Sequence, residues 1–236
     1  MTQIIDPFEQ AFSVFLGGET DGYLDVYVNN EFSERIPVKY FFRSYDEMPQ
    51  LEQFALENCK GKILDIGAGA GCHSLILQNR GYDVTALDIK AGFIEIMKQR
   101  GIRKTVESDI FDFKKGRFDT LLMLMNGIGF TIDFAGLKKF LNQAKELLNQ
   151  DGQILLDSSD LLYLFEEEDG SYRVPLTGDY YGMVIFQVNY KNNDGEPFDW
   201  LFIDFSNLEH IAEDTGYRCE LLYANDSHYL ARLKII

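Results

Sequence analysis

The sequence predicts an α/β fold: a doubly wound, mostly parallel sheet of seven strands with an antiparallel terminal hairpin, an N-terminal extension and an inserted β-hairpin. Three observations predict it. Between residues 62 and 157 short apolar runs alternate with helical patterns, as in a parallel sheet covered on both faces. The first run enters three alternating glycines and then a helix. Near the carboxyl end two further runs, 217–223 and 228–235, flank Asn225-Asp226 and pair as a hairpin.

The extension spans residues 1–60. It opens on a helix with Phe8, Ala11, Phe12, Phe15 and Leu16 at apolar positions, ended by Gly17-Gly18. A hairpin follows, with strands at 23–28 and 31–38 around Asn29-Asn30, and a helix at 49–59 carries Leu51, Phe54, Ala55 and Leu56 on one stripe. The main domain is 61–236. Its strands read 62–66, 83–88, 103–107, 118–125 and 153–157, and its helices 72–80, 91–100 and 134–149, with Gly81, Gly101 and Gly152 as stops. An insertion at 158–205 contains a hairpin of 183–190 and 200–205 about a turn-rich Asn192-Asn193-Asp194-Gly195-Glu196-Pro197. A helix then starts at the capping-box pattern Ser206-Asn207-Leu208-Glu209 and ends near Gly216.

Length and composition suit this organisation: 236 residues at 46% hydrophobic make one globular domain with a large core. A net charge of -16, with no basic run of five, repels a phosphate backbone and argues against a nucleic-acid partner. Cys59, Cys72 and Cys219 are odd in number and contain no C-x-x-C pair, which fits a reducing compartment. The stretch Met1 to Pro7 lacks a basic segment followed by an apolar one, and no run approaches the ~18 apolar residues of a membrane span. A cytoplasmic protein without a membrane partner is expected.

The chemistry is carried by Ile63-Leu64-Asp65-Ile66-Gly67-Ala68-Gly69-Ala70-Gly71, an apolar strand entering a loop whose glycines let a ligand approach the backbone. About twenty residues on, the second strand ends in Leu87-Asp88, where an acid can bond both ribose hydroxyls of an adenosine. Two details argue against a dinucleotide. The dinucleotide fingerprint wants Gly or Ala where this chain has Cys72. Asp65, two residues before the first glycine, would oppose a pyrophosphate but suits a cationic amino group and a sulfonium.

On these residues the chain resembles the class I S-adenosylmethionine-dependent methyltransferases, of Rossmann-like fold, whose first motif runs hydrophobic, Asp, hydrophobic, Gly-x-Gly-x-Gly. The resemblance covers roughly 51–157. It implies S-adenosylmethionine as cofactor and S-adenosylhomocysteine as product, with Asp65, Gly67, Ala68, Gly69 and Gly71 cradling the methionine part and Asp88 and Ile89 holding the ribose. Glu107-Ser108-Asp109-Ile110 matches the third-strand motif, so that Asp109 faces the adenine amino group and Ile110 packs on the ring. Met125 and Asn126, at the end of the fourth strand, would flank the transferable methyl. Taken singly, Asp88 reads equally well as a helix cap and Asp109 as a turn acid. Together, four features in order at the ends of successive strands favour the methyltransferase reading.

Acceptor-binding groups are expected from outside the core. Tyr40-Phe41-Phe42-Arg43 forms either a lid, with Arg43 on the methionine carboxylate and Tyr40 near the methyl, or a buried aromatic anchor. Cys72 reads as packing and His73 as packing or a substrate contact; His210 and His228 read as surface or core residues, and no metal site is expected. Glu166-Glu167-Glu168-Asp169 is a solvated face or an attractor of cationic substrates. Asn126-Gly127-Ile128-Gly129 lacks the Asn/Asp-Pro-Pro-aromatic motif of enzymes that methylate exocyclic amines of DNA bases or glutamine amides, so a small-molecule acceptor is expected. Tyr163, Tyr172, Tyr180, Tyr181 and Trp200 either roof a small-molecule pocket or form a homodimer interface. No obligatory catalytic side chain is evident. The alternative functions are a non-catalytic S-adenosylmethionine-binding protein and a nucleotide-dependent oxidoreductase.

Overall fold

A computed structural model of the chain describes residues 6–167, 169–174 and 179–236. The readings made on Met1 to Ile5 and on Glu168, and the part of the insertion at 175–178, lie outside the described residues.

The chain opens on α1 (Pro7–Leu16), whose N-terminal N–H groups at Phe8 and Glu9 donate to the Asp6 carboxylate. β1 (Tyr23–Val28) and β2 (Glu31–Pro37) pair about Asn29 and Asn30, whose φ of 53° and 67° is the left-handed backbone a tight hairpin turn requires. A 3-10 stretch, Val38–Phe42, leads towards α2 (Gln50–Asn58). Next come β3 (Lys62–Ile66), α3 (Cys72–Asn79), β4 (Asp83–Asp88), α4 (Ala91–Gln99) and β5 (Thr105–Glu107). β6 (Phe118–Met123), α5 (Phe134–Leu147) and β7 (Leu148–Ser159) complete the parallel part. The chain finishes with β8 (Met183–Tyr190), β9 (Asn193–Asp194), β10 (Phe198–Leu201), α6 (Phe205–Asp214), β11 (Tyr217–Asn225) and β12 (His228–Ile235).

Seven strands form the central sheet in the order β11-β12-β7-β6-β3-β4-β5, parallel from β7 to β5, with β12 antiparallel to β7 and to β11. This is the expected doubly wound α/β sheet with an antiparallel terminal hairpin. Chain order reverses between β3 and β6, and such a switch point opens a crevice at the carboxyl ends of the strands.

The second sheet is a finding that local pattern did not announce. Its order is β10-β8-β1-β2, with β9 on β8, so the N-terminal extension and the insertion are one structure. Asp25 pairs with Asn189 and Val28 with Phe186. The face of this sheet packs with α1 against α4 and the glycine loop, burying Phe12, Leu24, Val26 and Val188 with Ala70 and Phe93. Burial of that order, at roughly 25 cal/mol per Å² of apolar surface, holds the second sheet over the switch point.

Several boundaries differ from the sequence-based expectation, each for a local reason. β6 stops at Met123, not 125, because Met125 and Asn126 turn left-handed (φ 60° and 54°) and give their N–H groups to Asp157. α5 stops at Leu147, and Asp151 (φ 64°), not Gly152, takes the left-handed position in the following turn. β10 occupies 198–201, not 200–205, and α6 is capped by Asp204, not Ser206: Asp204 accepts from the Asn207 N–H at 3.0 Å, and its own N–H donates to the Tyr180 hydroxyl at 2.9 Å. Among the described residues no helix is long and apolar enough to cross a membrane.

Candidate active site

The carboxyl ends of β3, β4, β5 and β6 face the second sheet across a cavity of about 650 Å³. Asp65, Gly67, Ala68, Gly69, Asp88, Ile89, Asp109, Ile110 and Met125 all border it. Opposite them stand aromatic side chains: Phe8 and Phe12 of α1, Phe41, and Phe198 and Trp200 of β10. Gly71, Asn126, Tyr40 and Arg43, expected at the same site, do not line the cavity.

The three glycines divide into two roles. Gly67 (φ 71°) and Gly69 (φ 55°) are left-handed, and a Cβ on either would meet no atom within 4 Å, so bare backbone faces the cavity. At Gly71 a Cβ would lie 2.2 Å from Ile102 Cδ1, so this glycine serves packing against the segment after α4. The loop is pinned to β4. Gly67 and Ala68 donate N–H bonds to the Leu87 carbonyl at 2.9 and 3.0 Å, and Gly69 donates to Asp88 Oδ2 at 2.9 Å.

Asp88 thus holds the loop while bordering the cavity, and its Oδ1 also accepts from the Lys90 N–H ahead of α4. Burial raises its pKa against the opposing effect of the Lys90 and Gly69 N–H groups. Asp109 accepts from the Phe111 N–H at 2.9 Å, the turn bond of a plain turn acid, and lies on the wall as well. Asp65 accepts from Ser74 Oγ at 2.6 Å and from the Ser74 N–H, tying β3 to the first turn of α3; burial raises its pKa too.

Asn126 is a strut between the two sheets. Its amide donates to the Leu201 carbonyl at 3.0 Å and accepts from Ser158 Oγ at 2.6 Å, and Ser158 Oγ accepts from the Ile203 N–H. Asp157, read from sequence only as a strand end, receives the Met125 and Asn126 N–H groups; burial pushes its carboxyl up to about 7, with Glu52 adding in the same sense. Trp200 lies against Gly129, where a Cβ would fall 2.1 Å from the indole nitrogen.

The Arg43 guanidinium bonds to Glu52 and to the Tyr40 carbonyl, and stacks 3.9 Å from the Tyr40 ring centre. Tyr40 Oη donates to the other Glu52 oxygen at 3.4 Å, and burial raises its pKa to about 12. His73 Nε2 lies 2.7 Å from Glu52, and the residue borders the cavity. Burial alone would raise Glu52, but His73 and Arg43 hold its pKa below the usual carboxyl value. Glu52 escaped the sequence reading; its signal was an acid immediately beside the apolar stripe of α2. Among the described residues no cluster of His, Cys, Asp or Glu is arranged to hold a metal ion.

Comparison with known proteins gives consistent matches. A family model described as a methyltransferase domain matches residues 64–156. The crystal structure of an S-adenosylmethionine-dependent methyltransferase from Bacteroides fragilis, in complex with S-adenosylhomocysteine, is 42% identical over 100% of this chain and 97% of that one, with a TM-score of 0.89. An S-adenosylmethionine-dependent methyltransferase from Clostridium acetobutylicum shares the fold at 15% identity, covering 78% of this chain and 87% of its own with a TM-score of 0.58. A protein from Geobacillus sp. (strain WCH70), named as a methyltransferase, is 23% identical over 114 residues, or 46% of each chain. That match spans about half the length of the curated relative.

Proposed function

The chain belongs to the S-adenosylmethionine-dependent methyltransferases, and from that premise we propose that its cavity serves methyl transfer from S-adenosylmethionine to a small-molecule acceptor. The observation that carries the proposal is the pair Gly67 and Gly69, whose Cβ-free backbone faces open space between the carboxylates of Asp65 and Asp88. A phosphate-bearing ligand meets repulsion there, while a ligand with a cationic amino group and a neutral ribose fits. The cofactor supplies a methyl on a sulfonium sulfur; an acceptor lone pair forms the new bond to that carbon in line as the carbon–sulfur bond breaks, sulfur keeps the electron pair as S-adenosylhomocysteine, and the acceptor proton passes to solvent or a base.

The protein's own residues bind, orient and exclude water. In this reading Asp88 and Ile89 hold the ribose, Asp109 and Ile110 the adenine, and Asp65 with the glycine loop the amino-acid end. Met125 and the aromatic wall of Phe41 and Trp200 shield the methyl, so alignment of the acceptor is the main catalytic contribution. Glu196 and Phe198 reach the cavity from the insertion, and a net charge of -16 surrounds it, which favours a neutral or cationic acceptor. The 61–236 domain is then the methyltransferase, and the extension with the insertion at 158–205 is its cap.

A screen of small metabolites for transfer of a labelled methyl tests the proposal. Transfer to a neutral or amine-bearing compound supports it. Transfer only to nucleic acid would overturn it.

A further inference from the structure

We infer that His73, held by Glu52 with Arg43 behind it, receives the carboxylate of the cofactor's amino-acid end. The inference rests on reading the cavity as the S-adenosylmethionine site. An amino acid carries one positive and one negative group, and binding it in a dry cleft demands a partner for each. Asp65 answers the ammonium. Among the residues bordering the cavity, the side chains able to answer a carboxylate with a charged N–H donor are His73 and Lys90.

Position separates the two. Lys90 lies two residues after Asp88, at the nucleoside end, and its ammonium is paired with Asp6. His73 stands in the first turn of α3, beside the Ser74 that bonds Asp65, at the amino-acid end. Arg43, the partner expected from sequence, is 6% exposed, bonded to Glu52 and stacked on Tyr40, so its charge is committed away from the cavity.

The histidine is built for the task. Its Nε2 bonds to Glu52 at 2.7 Å, and since an ionised carboxylate can only accept, Nε2 carries a proton. The other ring nitrogen makes no hydrogen bond to a described residue, and His73 is among the residues bordering the cavity. Glu52 receives Arg43 on the same oxygen that takes His73, so it is fixed from behind and in turn fixes the ring. Nδ1 can donate to a ligand carboxylate only when the ring carries a second proton, and Glu52 on one side and the carboxylate on the other would then flank it. Asp65 and Asp157 also lie within electrostatic reach of the ring.

The test compares S-adenosylhomocysteine with its decarboxylated analogue, in which only the carboxylate is lost. Calorimetry on wild type, His73→Ala and His73→Gln should show affinity for S-adenosylhomocysteine falling about tenfold or more in the variants, with affinity for the analogue changing less than about twofold. Equal losses for both ligands, or no loss, would overturn the inference. Should the variants fail to fold, nitrogen NMR of the wild-type imidazoles gives an independent answer. The chain has three histidines, and His210→Gln and His228→Gln, at exposed positions, assign the third by difference. The His73 signals should move with S-adenosylhomocysteine and stay with the analogue; the same response to both would refute the role. Wild type that binds neither ligand would sink the cofactor reading itself, whereas tight binding indifferent to His73 would sink this inference alone.

Discussion

Asp88, at the end of β4, and Asp157, within β7, are both buried carboxyls, yet they do different work. Asp88 fixes the glycine loop through the Gly69 N–H and borders the cavity. Asp88→Ala should therefore weaken S-adenosylhomocysteine binding by ~1.5 to 3 kcal/mol, read by calorimetry, and unchanged affinity would remove Asp88 from the site. Asp157 anchors the turn after β6 and, with burial raising its carboxyl to about 7, holds a proton more tightly when folded. Its contribution is present at low pH and lost as pH climbs from the ordinary carboxyl value, about 4, through about 7. Asp157→Asn should flatten the fall in stability across that window, by at most ~1.4 kcal/mol per pH unit, as followed by urea midpoints. An unchanged slope would show that Asp157 does not carry it. Asp65 and Asp88 were legible in the sequence from the glycine-loop strand and from the end of the second apolar run, whereas Asp109 was legible only through the resemblance to the methyltransferase third-strand motif. The Glu52–His73 and Asp157–Asn126 pairs were not, because 21 and 31 residues separate partners that no local pattern links.

At the scale of elements, the junction between the two sheets decides how the second sits over the first. Asn126 bridges the turn after β6 to the last residue of β10, and Gly129 leaves room for Trp200. Asn126→Ala leaves the Leu201 carbonyl and Ser158 hydroxyl without that partner, at a cost of ~1 to 3 kcal/mol in denaturant unfolding; a change within error would show the bridge to be idle. On the proposed reading Trp200 lines the acceptor side, so Trp200→Ala should lower transfer while cofactor affinity stays within about tenfold. Loss of both together would place Trp200 in the cofactor site instead. Deleting 158–205 is a poorer probe, since it removes β8, the neighbour of β1. The hairpins themselves were readable from Asn29-Asn30 and from 192–197, but their union was not: strand pairing across more than a hundred and fifty residues leaves no periodic trace in either segment.

Across the whole molecule, a parallel sheet with a reversal of order supplies the crevice, and a second sheet assembled from two distant segments covers it. The elements of the first were legible, apart from a few boundaries, because alternating apolar runs and helical stripes are local, while the second was legible only as separate pieces. Both halves depend on the cavity being a cofactor site, and the most direct measurement is calorimetric titration of S-adenosylhomocysteine into wild type and Gly69→Val. At φ 55° a β-branched side chain costs of order 1 to 3 kcal/mol and projects into the open space, which leaves the fold intact by circular dichroism. Single-site binding by wild type and none by the folded variant is the expected result; equal affinity in the two would contradict the assignment of the cavity.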